Sequence, residues 1–381
     1  MAERPATNAD DSGRVRLVED VVVPIAIRLV EMGVALVLVA RWTGTNSVLS
    51  RLTTWDGSNF RDIADHWYPP TITWSGSHLI TGAQFAFAPL YPILTYVVRL
   101  TGVSIEAALV IAASGAGLAA SVLVHLLGRR VVGTRRAGYI ACALLGALPM
   151  AVIFQMGYAE SLATALTAAA LLAVVDRHWW WGAGFSCLAG LARPSAAVVA
   201  LAIPVVAWSM RRERRVPWAT VAGATVVGAS GAPLFWLYVG VRSGVLDGWF
   251  VVERLEWHSH FDFGAATWQF LRLAGDQDHV MAVLAVLSIL GFVLAWIAAI
   301  RQNFSPPLVV VSVLSVVVAL GSSNYWHSKP RILLAAFPLV VLAARPLSKL
   351  PDRALVIGIT AAVVASSVFS AYAVVSWPHA I

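Results

Sequence analysis

Charge is what this chain has least of. Asp, Glu, Lys and Arg make up 12% of its 381 residues, too few to cover the surface of a soluble domain of that length. Cysteine is nearly missing too. Cys142 and Cys187 both fall inside apolar runs, which leaves no case for a disulfide framework or a thiolate metal site. No internal repeat is visible either, which argues against a transporter built from duplicated halves. What the chain has instead is apolar: 59% hydrophobic residues and a mean hydropathy of +0.76, in repeated runs of about 20 residues that match the hydrocarbon thickness of a bilayer. The net charge of +7 and pI near 9.8 follow from Lys and Arg collecting in cytoplasmic loops, and no nucleic-acid partner is expected.

Hydropathy reads residues 1–20 as a polar cytoplasmic tail and 21–381 as a single polytopic, all-α membrane domain of about eleven transmembrane helices. The spans are Val21–Val39, Val103–Leu127, Ala137–Met156, Ser161–Val175, Trp180–Ala192, Pro194–Met210, Trp218–Val241, Val280–Ile300, Pro307–Leu320, Arg331–Ala344 and Leu355–Ser376. Phe85–Leu100 is short and holds Pro89, Pro92 and Arg99, so it reads as an interfacial helix. A break at Arg193–Pro194 is expected because a residue before proline disfavours the helical region. With this arrangement sixteen of the 27 Lys and Arg face the cytoplasm, which sets the N-terminus inside and the C-terminus outside. Arg28 and Glu31 lie one turn apart within the first span and are expected to pair structurally.

Polar and aromatic residues gather in three outer segments, 43–102, 242–279 and 321–331. That one-sided distribution points to a site at the outer membrane surface, in a plasma-membrane protein of many passes. The richest stretch runs from Trp55-Asp56-Gly57 through Phe60, Arg61, Asp62, Asp65 and His66 to Trp67-Tyr68, carboxylates interleaved with aromatics as in an element lying at headgroup depth. Gly57 would let Asp56 sit on a tight turn. Arg193, with Pro194 opening the next helix, and Lys329 with Arg331 form cationic positions at outer helix starts, where the dipole also favours an anion. Snorkelling to lipid headgroups is the plainer role for such cations. Glu160 opens a span. His258 and His260 lie two apart, not at the i,i+4 spacing of helical zinc ligands, so no metal is expected.

In order along the chain, Trp55-Asp56…Phe60…Ile63-Ala64…Tyr68-Pro69, Ala88-Pro89-Leu90-Tyr91-Pro92, Tyr158-Ala159-Glu160-Ser161-Leu162 and Leu191-Ala192-Arg193-Pro194-Ser195 resemble the motifs of the PIG-V mannosyltransferases, a family of the GT-C class. Phe60 stands where that family has tyrosine, the glycine before Tyr68 is missing, and Glu253-Arg254-Leu255-Glu256-Trp257 is only loosely like its Q-x-x-W. The resemblance implies a GT-C bundle with interfacial helices in the first outer loop. It implies an inverting transfer of mannose from a polyprenyl-phosphate-mannose donor to a lipid, glycan or protein acceptor, with no cofactor beyond that lipid-linked substrate. One carboxylate must accept the acceptor's proton and cations must hold the leaving phosphate. Asp56 is then the expected base, Arg193, Lys329 and Arg331 the phosphate ligands, and Trp55, Arg61, Asp62, Tyr91, Glu160, Trp257, His258 and His327 the sugar and acceptor contacts. A lipid or small-molecule transporter, a non-catalytic membrane subunit, or a GT-C enzyme of another sugar are the competing readings.

Overall fold

The computed structural model describes residues 18–43, 47–211, 216–273, 279–302, 305–323 and 326–377, so nearly all of the expected tail lies outside the described residues. The structure is 79% helical. Among the described residues three helices are long and apolar enough to cross a membrane: Val18–Thr43, Ile105–Val132 and Asp352–Val375. Two bent pairs reach that standard as units. These are Trp218–Ala229 with Gly231–Ser243, bent by 46°, and Lys329–Ala336 with Pro338–Leu347, bent by 67°. Glu160–Val175, Pro194–Ser209 and Pro306–Gly321 are apolar but shorter.

The interruptions have local causes. The run 137–156 is α-helical only to Gly146. Pro149 and a left-handed Met150 (φ 62°) then turn the chain into a 3-10 segment, Ala151–Gln155. The Trp179–Ala192 helix ends at Arg193, which is extended, and Pro194–Leu201 continues as 3-10 before the α-turns of Ala202–Ser209. Ten residues, Leu90–Arg99, make the helix that follows Pro89, about 15 Å long at 1.5 Å per residue and thus half a bilayer.

The first outer segment is not purely helical. After the Asp56–His66 helix it forms a two-stranded hairpin, Thr73–Ser75 against His78–Thr81. β-branched and aromatic residues populate these strands, Gly76 takes φ 57° in the connecting turn, and the Thr73 and Thr81 hydroxyls bond across them at 2.8 Å. Tyr68 docks this segment on the bundle. Its hydroxyl donates to the Phe87 carbonyl at 2.6 Å, and its ring packs on Phe85 and Phe235.

Charge sorts to the two ends of the bundle. At the C-terminal end of Ile105–Val132, Asp20 pairs with Arg129 and Arg135, Arg130 with Asp176, and Arg136 with Asp352. Between the ends Arg28 and Glu31 do pair, at 3.3 Å and fully buried. Arg28 also donates to the Ala151 carbonyl at 3.3 Å and lies over the Phe154 ring, pinning the irregular segment that leads to Glu160.

Helices meet through small residues, as lipid-embedded helices do. A Cβ on Gly231 would stand 2.0 Å from the Cys187 carbonyl oxygen, and one on Gly190 would stand 2.9 Å from the Ala232 nitrogen. Backbone lies against backbone there. Gly231→Ala is therefore expected to destabilise the protein by about 1–3 kcal/mol through overpacking, read as a lowered unfolding temperature in detergent, whereas Gly184→Ala, with open space around it, should leave that temperature unchanged. Equal temperatures for the two variants would refute this packing.

Candidate functional site

Trp55 adopts φ 54°, and this residue, not Gly57, makes the turn that sequence reading assigned to the glycine. Asp56 follows as the first residue of its helix. Glu160 likewise opens the Glu160–Val175 helix, so both carboxylates sit where the helix dipole favours an anion. The two N-termini are braced together: the Gly157 amide donates to the Leu52 carbonyl at 2.8 Å, and the Tyr158 hydroxyl to the Thr54 carbonyl at 3.4 Å.

Arg331 lies between them. Its Nη1 donates to Asp56 Oδ2 at 2.6 Å, its Nε is 3.4 Å from Glu160 Oε1, and its guanidinium carbon sits 5.2 Å from the centre of the Tyr158 ring. Glu160 also pairs with Arg193. Four charges from four distant stretches of sequence thus form one chain, Asp56–Arg331–Glu160–Arg193. Arg331 is 10% exposed and paired with both carboxylates, whereas Arg193 keeps 26% of its side chain open. Burial pushes the Asp56 carboxyl above the usual carboxylate range, with Arg331 opposing and Glu160 adding to the rise. Oδ1 of Asp56 has no hydrogen-bond partner among the described residues.

Asp56, Arg193 and Arg331 line a cleft of about 250 Å³, with Glu160 behind them. The facing wall carries Phe60 and Phe87 with three residues of the Gly248–Glu256 helix and its end, Trp249, Glu253 and Trp257. Phe60 packs edge-on to Phe87 at 5.0 Å, and Phe87 edge-on to Trp257 at 5.5 Å. Glu253 was not among the residues singled out from sequence. Its neighbours held the signal, since Trp249, Glu253 and Trp257 recur every four residues and so share a helix face. Burial, and then the charge of Asp56, push the Glu253 carboxyl up to about 7.

Of the residues read from sequence, Asp56, Glu160, Arg193, Arg331 and Trp257 meet here. Lys329 does not line the cleft. Its ammonium is buried and donates to the Ala319 and Ser322 carbonyls at 3.0 and 2.7 Å, at the end of the Pro306–Gly321 helix. Arg61 and Asp62 pair with each other at the surface, Arg61 and Trp55 border a separate hollow, and Asp65 pairs with Arg99. Tyr91 is buried and donates to the Leu109 carbonyl at 2.8 Å. His258 is a positive-φ turn residue whose carbonyl accepts from Ser323, and His327 packs near Trp377. Among the described residues no three His, Cys, Asp or Glu side chains converge as a metal site would require.

No family model matches the chain, nor does any curated protein match it significantly. Solved structures do. ArnT from Cupriavidus metallidurans bound to undecaprenyl phosphate superposes with a TM-score of 0.56 at 17% identity, over 89% of this chain and 62% of that one. The oligosaccharyltransferase of Archaeoglobus fulgidus in its apo form gives 0.52 at 13%, over 92% and 56%. The archaeal oligosaccharyltransferase AglB from Archaeoglobus fulgidus, in complex with an inhibitory peptide and a dolichol-phosphate, gives 0.52 at 12%, over 93% and 56%. The mostly helical fold is like that of these GT-C proteins. At these identities the likeness concerns the fold alone, and this chain spans less than two thirds of the length of those proteins.

Removing one partner of a buried ion pair strands the other charge at a cost of about 3–5 kcal/mol. Arg331→Met is expected to lower stability by that order, since it leaves Asp56 and Glu160 side by side without their cation. Arg331→Lys should recover only part of the loss, because one ammonium cannot reproduce a guanidinium's two contacts. Thermal unfolding in detergent measures both, and an unchanged unfolding temperature for Arg331→Met would show that the charge chain holds nothing together.

Proposed function

We propose that this protein is an inverting glycosyltransferase that moves mannose from a polyprenyl-phosphate-mannose donor to an acceptor at the outer face of the plasma membrane, as its resemblance to the PIG-V mannosyltransferases implies. The observation that carries the reading is the opening of Asp56 and Arg193 onto one cleft, joined through Arg331 and Glu160. The fold shared with ArnT, whose structure holds undecaprenyl phosphate, supports a polyprenyl-phosphate partner.

In this mechanism the acceptor hydroxyl attacks the anomeric carbon as Asp56 takes its proton through Oδ1, the oxygen that Arg331 leaves unengaged. The bond from that carbon to the phosphate oxygen breaks, and the polyprenyl phosphate departs with its electrons. Because the attack comes from the face opposite the leaving group, the configuration at carbon inverts. Arg331 is committed to two carboxylates, so Arg193 is the cation that meets the phosphate, beside the Ser195 amide that follows Pro194. Burial keeps Asp56 basic, and the Arg331 bond holds it in the direction of attack.

Asp56→Asn should lower mannosyl transfer by about 10²–10⁴-fold, the usual contribution of a general base, while undecaprenyl phosphate still binds. Arg193→Ala should instead weaken undecaprenyl phosphate binding about tenfold or more, the loss of one charge-assisted contact. Radiolabelled transfer to membrane glycolipids and lipid competition measure the two effects, and polyprenyl-phosphate-glucose in the same assay tests the sugar. Wild-type transfer by folded Asp56→Asn would exclude Asp56 as the base.

A further inference from the structure

We propose that Glu253 is the acceptor-binding carboxyl of the cleft, holding a neutral, hydroxyl-bearing acceptor against the Trp249–Trp257 wall, across from the cations that take the phosphate. The proposal rests on the transferase reading above and extends it to the other substrate. Three observations carry it.

The first is position. Glu253 lines the same cleft as Asp56, yet forms no ion pair among the described residues. Every other carboxylate named at the site is held by an arginine. The second is company. Trp249 and Trp257 flank it on one helix face, and both indole N–H groups are buried without a hydrogen-bond partner. Aromatic faces with a carboxyl between them suit the faces and hydroxyls of a sugar. The third is charge. Asp56, Glu160, Arg193 and Arg331 already balance, and of these Asp56, Arg193 and Arg331 line the cleft with Glu253, with Ser259 beside it on its own segment. An ionised Glu253 would add an uncompensated negative charge close to Asp56 and to the arriving phosphate. With its carboxyl raised to about 7, the group is protonated below that pH and ionised above it. The protonated form can donate to an acceptor oxygen while its carbonyl oxygen accepts from a hydroxyl. A neutral wall of this kind gives no advantage to an ammonium-bearing acceptor.

Glutamine keeps one donor and one acceptor at this position at every pH, and alanine keeps neither. Transfer from polyprenyl-phosphate-mannose to the total polar lipids of the source membrane should lose at least tenfold in acceptor kcat/KM in Glu253→Ala, through KM, with undecaprenyl phosphate binding unchanged. Glu253→Gln should restore most of that loss and abolish the decline in wild-type transfer as pH rises through about 7. A Glu253→Gln as inactive as Glu253→Ala would overturn the proposal, because the ionised carboxylate would then be the working form. So would variants with wild-type acceptor KM, or a loss that falls on undecaprenyl phosphate binding. A second measurement does not depend on turnover. Carbodiimide, which reacts with protonated carboxyls, should modify Glu253 in the full chain with a midpoint near pH 7. The lipid extract should protect it and undecaprenyl phosphate should not. Absence of modification, or protection by the phosphate alone, refutes the acceptor role even if the protein transfers no mannose. Failed transfer with the expected labelling pattern would instead count against the mannosyltransferase reading.

Discussion

One guanidinium organises this molecule. Arg331 reaches Asp56 in the first outer segment and Glu160 at the head of a mid-chain helix, and through Glu160 it is tied to Arg193 at a helix break. Buried charges of one sign cannot be gathered without their counterparts, because the desolvation of each costs several kcal/mol. The alternation of acid and base along this chain makes the arrangement tolerable. It also makes it cooperative, since each carboxylate is placed by an arginine that another carboxylate places in turn. The cleft therefore inherits its shape from electrostatics as much as from helix packing.

The scaffold serves that arrangement through irregular backbone. Non-helical chain inside a membrane protein is tolerated only where protein or a cavity surrounds it, and here the segment 147–159 is buried throughout its 3-10 turn. Arg28, itself neutralised by Glu31, bonds the Ala151 carbonyl, so this buried ion pair acts on the site at a distance by fixing the stretch that delivers Tyr158 and Glu160. The interruptions at Pro149, Arg193–Pro194 and Pro338 follow the same logic. They cost helical hydrogen bonds, and two of them place helix ends where charged side chains are needed.

That logic explains which features could be read from sequence. Asp56, Glu160, Arg193 and Arg331 stand out because charge is scarce, and each falls at a boundary of an apolar run. Lys329 was grouped with Arg331 as a second phosphate ligand, but the two lie in the Lys329–Ile332 turn. Residues two apart on a helix point to opposite sides, so one enters the cleft and the other caps a neighbouring helix. Glu253 is legible only through the four-residue rhythm of Trp249, Glu253 and Trp257, which sets the three on one helix face. Hydropathy marks the apolar runs but does not say which are single helices, since Met150 and Ser230 change direction without any change in apolarity. The hairpin at 73–81 is invisible to it for the opposite reason: its strands are exposed and carry no buried alternation.

The backbone at Trp55 completes the picture. A non-glycine residue at φ 54° is strained, by about 1–3 kcal/mol, and persists only where its surroundings fix it. The Gly57 and Ser58 amides bond back to the Thr54 and Trp55 carbonyls, and Tyr158 bonds Thr54 from the second helix N-terminus. These contacts hold a turn that no sequence preference favours, and what the turn achieves is the aim of a single carboxylate. Had Gly57 made it, as the sequence invites, Asp56 would sit on a pliable turn and its direction would be set by Arg331 alone. With Trp55 in that role the carboxylate is held from behind by backbone and from in front by the guanidinium. Its other oxygen has no hydrogen-bond partner among the described residues.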